Sequence, residues 1–147
     1  MATGQKIVAA ARWGIANEPR IHYGQVRPFP LARTLPLTTD CSGFVTLCYF
    51  LGAAPDPNGL GYSGQGFTGT LLRHLHETED PRAGDLVVWG AYPGRHVALV
   101  LEPGEDPLLC SHGAERGPIA IRFSEECKWQ PPQYTWLTRS SRPSRPG

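Results

Sequence analysis

The chain has 147 residues, of which 40% are hydrophobic and 18% charged, with a formal net charge of +1. That length suits one domain with a core of its own and no need of disulfide staples. A charge so close to zero excludes the strong field of a nucleic-acid or anionic-membrane binder, so a partner must be chosen by a pocket.

The 17 glycines and 15 prolines exceed ordinary usage beside a normal apolar fraction, which means long loops rather than disorder. No apolar run is long enough to span a bilayer, and residues 1–18 lack the charged, apolar, small-residue order of a secretion signal. The expectation is a chain made and folded in the cytosol, without membrane insertion or a nucleic-acid partner, and monomeric.

In chain order, residues 5–17 carry Ile7, Val8, Ala11 and Ile15 at helical spacing, and Glu18-Pro19 ends the run. Residues 20–39 read as a loop with prolines at 28, 30 and 36 and an isolated Tyr23-Gly24, long enough to wall a cleft. Next comes Thr39-Asp40-Cys41-Ser42-Gly43-Phe44-Val45, a turn into a helix whose buried face is Phe44, Val45, Cys48 and Leu51, stopped at Gly52. Unpaired N–H groups and the dipole of a first helical turn favour negative charge, and thiolate is the reactive form of cysteine. A small buried thiol is the blander reading of Cys41. A carboxylate before it, with a hydroxyl and a glycine after it, suits a reactive one better.

Residues 53–66 form a second turn-rich connection, followed by a short helix over 68–76 with Leu71, Leu72 and Leu75 inward. His74 and His76 on that helix point to different faces, which favours structural roles over ligation. Thereafter the pattern is strand-like: 85–89, 95–101, 107–112, 119–123 and 134–137, with turns between them. This predicts an α+β domain with an antiparallel meander of about five strands.

Four cysteines in a reducing compartment argue against a disulfide framework, Cys110 with Cys127 being the one pairing to consider. Cys110 and His112 share a strand face as a metal pair could, but without a second close ligand pair no metal and no cofactor is expected. Residues 139–147, rich in Arg, Ser and Pro, read as a solvated tail or linker stub beyond a domain at 1–138.

A thiol nucleophile needs a base to take its proton and a third group to orient that base. His96 opens the second strand, on the face of Ala98 and Val100, which is expected to pack on the Cys41 helix. His112 ends the next strand, where its ring could reach His96 from alongside.

Taken together, Asp40-Cys41-Ser42-Gly43-Phe44-Val45, the run from Pro81 through Gly84-Asp85 to Trp89, His96-Val97-Ala98-Leu99-Val100 and the later strand ending in His112 resemble the NlpC-type papain-like cysteine peptidases, which cut bacterial cell-wall peptides. The resemblance covers residues 11–123. It implies a papain-like fold, with N-terminal helices and a helix-borne cysteine packed on an antiparallel sheet, and a catalytic set of Cys41, His96 and His112. Tyr23, Asp40 and Ser42 look like the family's substrate-contacting residues, with Asp40 placed to meet a free amine.

The implied reaction is hydrolysis, through a thioester, of a stem-peptide amide next to D-glutamate or a diamino acid. A wall substrate without an export signal fits a phage lysin or virion-borne lytic domain, acting on the wall after release or delivery by another agent. The alternatives are cleavage of the N-acetylmuramoyl-L-alanine bond, a related acyltransferase or deamidase, and an inactive wall-peptide binding module.

Overall fold

The computed structural model describes residues 1–114 and 116–139. Apart from Arg139, the tail expected at 139–147 lies outside the described residues.

Helix α1 (Thr3–Ala16) turns a stripe of Gly4, Ile7, Ala10, Ala11 and Gly14 inward, the three-and-four spacing of a helix face. Residues 20–39, expected as loop, contain two short strands, β1 (Ile21–Tyr23) and β2 (Leu37–Thr39), which pair in parallel. Strand β2 runs directly into α2 (Cys41–Leu51), whose first nine residues are all buried. A helix enclosed this way is held by tertiary packing, not by a single amphipathic stripe.

Helix α3 (Thr68–His74) is shorter than its expected 68–76 span. Leu75 is extended, and His76 does not lie on the helix: it opens β3 (His76–Glu77), which pairs with Thr138 and Leu137. The ladder offers those backbone groups partners that another helical turn would have had to forgo.

The sheet has six strands rather than five, in the order β3-β8-β4-β5-β6-β7, and each neighbouring pair is antiparallel. Its long members are β4 (Leu86–Trp89), β5 (His96–Glu102), β6 (Leu108–Gly113), β7 (Arg116–Arg122) and β8 (Tyr134–Thr138). It is not a simple meander, because β8 returns beside β4. The crossing passes through α4 (Phe123–Cys127), so Phe123 begins a helix where the sequence pattern had ended a strand on it.

Two cores result. Helices α1 and α2 pack on the face bearing Leu86, Val88, Val97, Leu99, Leu101, Cys110 and Leu137. Val87, Trp89, Ala98, Val100 and Leu109 form the second core on the other face, with Phe123, Cys127 and Trp136 against it. The face of Ala98 and Val100 therefore points away from α2, opposite to expectation. Strand β5 is apolar on both faces, so a period of two could not say which face the helix covers.

All four cysteines are free thiols, Cys110 and Cys127 included. No helix among the described residues is long and apolar enough to cross a membrane.

Candidate active site

The residues around Cys41 are first of all a helix start. Asp40 is the N-cap of α2: its Oδ1 accepts the Gly43 N–H at 2.8 Å and the Ser42 hydroxyl at 2.9 Å. Such a cap contributes about 1 kcal/mol. Gly43 is required for close approach, since a Cβ there would lie 2.1 Å from Thr39 Oγ1 and 2.8 Å from Phe29 Cγ. Cap, hydroxyl and glycine together put Cys41 on the first turn, where α2 presents its unpaired N–H groups.

Cys41 is 7% exposed and lines a cleft of ≈ 430 Å³. Tyr23, Asp40 and Ser42 share that lining, with Arg27 beside them and Phe67, Thr68 and Arg95 from elements later in the chain. Of the residues implied by the resemblance, the expected nucleophile Cys41 and the expected substrate contacts Tyr23, Asp40 and Ser42 line this cleft, whereas His96 and His112 are not in its lining.

His96 is the first residue of β5 and is buried. Its ring stacks on Trp89, with centroids 5.7 Å apart and planes inclined by 26°. Its Nε2 lies 2.9 Å from Ser111 Oγ and 3.1 Å from Glu126 Oε2, and the Ser111 hydroxyl donates to that same carboxylate oxygen at 2.8 Å. A hydroxyl that donates to the carboxylate accepts from the ring, so Nε2 carries a proton. Nδ1 is then the nitrogen left for Cys41. Burial alone would lower the pKa of this imidazole, but the Cys41 thiol and the Glu126 carboxylate beside it outweigh burial and raise it to about 9.

Glu126 is 1% exposed and comes from α4. Its second oxygen meets Arg116 Nη2 at 2.6 Å. Burial pushes its pKa up, while the bonds from His96 and Ser111 and the charges of His96 and Arg116 prevail and hold it below the ordinary glutamate value. Sequence reading missed this residue. A five-residue helix is too short to show a period, and two adjacent glutamates read as solvated surface.

His112 goes elsewhere. On β6 its neighbour Ser111 faces His96, and successive strand residues point to opposite faces. The His112 ring lies between Tyr23 and Phe44, 5.7 Å from each ring centroid, and its Nε2–H donates to the Thr39 carbonyl at 2.8 Å. None of its described hydrogen bonds reaches His96. Burial lowers its pKa in spite of the bond to the Thr39 carbonyl. It ties β6 to the residue that precedes Asp40 and Cys41.

Asp40 is also committed. Its Oδ2 pairs with Arg27 Nη2 at 3.3 Å, so neither carboxylate oxygen is without a partner. Among the described residues no group of three or more His, Cys, Asp and Glu side chains is placed to hold a metal ion. A thiol, an imidazole and a buried carboxylate in series, at the edge of a cleft and on a helix N-terminus, can move a proton off sulfur and leave the imidazolium stabilised.

No family model matches the chain, and no curated protein matches it.

Proposed function

We propose that this protein is a papain-like cysteine peptidase that hydrolyses an amide bond in bacterial peptidoglycan stem peptides. The observation that carries the enzymatic part is the series Cys41, His96, Glu126, in which Cys41 lines the cleft and the buried His96 and Glu126 stand behind it. The substrate class rests on the resemblance of the Asp40 to Val45, Pro81 to Trp89 and His96 to Val100 segments to the NlpC-type peptidases.

In this reading the Cys41 proton rests on His96 Nδ1, on a ring whose pKa is raised to about 9, and the thiolate adds to the amide carbonyl. The N–H of Cys41 helps to hold the oxyanion. Collapse breaks the C–N bond, the amine leaves with the proton from His96, and a thioester to Cys41 remains. His96 then takes a proton from water, which attacks the thioester and releases the acid and the thiol. Glu126, with Ser111, keeps the ring in one tautomer and balances the imidazolium, the part first assigned to His112. His112 supports the turn that carries Cys41. As a lysin or virion-borne domain the enzyme would reach the wall by release or delivery from another source.

Digestion of purified peptidoglycan, with mass spectrometry of the fragments, tests both parts. New termini within the stem peptide, absent with Cys41→Ala, are the expected result. Cleavage at the muramoyl-L-alanine bond would move the enzyme to the amidase class, and an active Cys41→Ala protein would end the thiol mechanism.

A further inference from the structure

The cleft beside Cys41 has a surplus of positive charge. Arg27 is firmly held there: its Nε and Nη2 donate to the Gly66 carbonyl at 3.1 and 2.9 Å, and its guanidinium lies 4.3 Å from the Phe29 ring centroid. Its ion pair with Asp40 covers the one carboxylate in the lining, whose side chain is 6% exposed. Arg95, also in the lining, is exposed and has no acidic partner among the described residues. A substrate ammonium entering here would meet guanidinium groups instead of a free carboxylate.

We propose that the cleft selects an acyl donor bearing a free carboxylate next to the scissile amide, with Arg95 as a specificity-determining residue and Arg27 barring a substrate ammonium from Asp40. This rests on the peptidase reading above, and it names the substrate class: a glutamyl stem peptide with its α-carboxylate free, rather than converted to the carboxamide or replaced by an amine. Guanidinium matches a carboxylate with two parallel N–H···O bonds, whereas a carboxamide loses the charge and turns an N–H₂ donor toward a donor. Because Arg95 is exposed to solvent and salt, the discrimination expected is about tenfold rather than the thousands that a buried polar site achieves.

The experiment compares defined stem peptides that are identical except for carboxylate, carboxamide or aminomethyl at the glutamyl α-position. For the wild-type protein kcat/KM should be about tenfold higher for the carboxylate than for the carboxamide, and the ratio should shrink as salt is added. Arg95→Gln should bring the ratio close to one while Arg95→Lys keeps part of it. Arg27→Gln should raise the relative rate on the amine. Using ratios cancels any general loss of turnover in a variant. Binding of the same peptides to the Cys41→Ala protein by calorimetry separates the two ideas. Discrimination in binding without cleavage by the wild type would sink the peptidase reading and keep this one. Equal affinities, a preference for the amine, or a ratio untouched by Arg95→Gln would overturn it.

Discussion

Nε2 of His96 stands 3.1 Å from Oε2 of Glu126, a buried carboxylate that also accepts from Ser111 and Arg116. Strand β5 supplies the imidazole, while α4 and the strand β7 that runs directly into it supply the carboxylate and the arginine that holds its far oxygen, so a segment later in the chain meets the ring beside Cys41. Removing one member of such a buried set leaves the others uncompensated, and the loss is larger than the set's net worth.

Glu126→Gln keeps an oxygen that can accept the Nε2–H but loses the charge, and Glu126→Ala loses both. Single-turnover rates should fall in that order, by about tenfold to ten-thousandfold, with His96→Gln lower than Glu126→Gln. His112→Gln should keep most of the turnover, because its amide can still donate to the Thr39 carbonyl. Rates in the reverse order, with circular dichroism unchanged, would return the orienting part to His112.

The helix carrying Cys41 was legible because its cap, its apolar spacing and its glycine fall within a dozen residues. Strands β4, β5 and β6 were legible as apolar runs between turn residues. What sequence left open is long-range. Val97 and Ala98 are equally apolar, so nothing local says which faces α2. Glu126 meets His96 across 30 positions of chain, through a helix too short to announce itself. Asp40 looked like a free carboxylate until Arg27 arrived from a proline-rich loop.

Because Cys41 lines the cleft beside His96, which holds its proton in the proposed mechanism, iodoacetamide near neutral pH should label it first, ahead of the half-buried Cys127. Cys48 and Cys110 are buried, and burial raises both thiols, Cys110 to about 12, so they should react only on unfolding. His96→Gln should slow labelling of Cys41 several-fold. Cys48→Ala should leave labelling alone and cost about 1 kcal/mol or more of stability for the lost core atom. Labelling of Cys110 or Cys127 ahead of Cys41, tracked by peptide mapping, would count against the site.

The two histidines should act oppositely on stability. His96 is raised in the fold, from 6.5 to about 9, so its contribution is complete below its unfolded value and fades as pH climbs toward 9. His112 is lowered from 6.5, so its contribution is complete above that value and is lost as pH falls through its folded pKa. Melting temperature against pH should therefore decline less steeply on the alkaline side for His96→Gln than for wild type, and less steeply on the acid side for His112→Gln. Parallel curves for all three proteins would mean that neither ring changes its proton affinity on folding.

Gly43→Ala sets two effects against each other. Inside a helix alanine is favoured over glycine by up to about 1 kcal/mol, so propensity alone predicts a more stable protein. The new Cβ, however, would stand 2.1 Å from Thr39 Oγ1 and 2.8 and 2.9 Å from Cγ and Cδ1 of Phe29. Thr39 precedes the capping aspartate and its carbonyl holds His112, so it has little room to retreat. The Phe29 ring lies under the Arg27 guanidinium that covers Asp40. Overpacking of this kind costs about 1–3 kcal/mol, which exceeds the propensity gain. The melting temperature should fall, and Cys41 alkylation should slow as the cap and the thiol shift together. Gly113→Ala, where an added Cβ meets nothing within 4 Å, is the control and should be near neutral. If Gly43→Ala melts at or above wild type, the glycine after Cys41-Ser42 is there for some other reason than the close approach of Thr39 and Phe29.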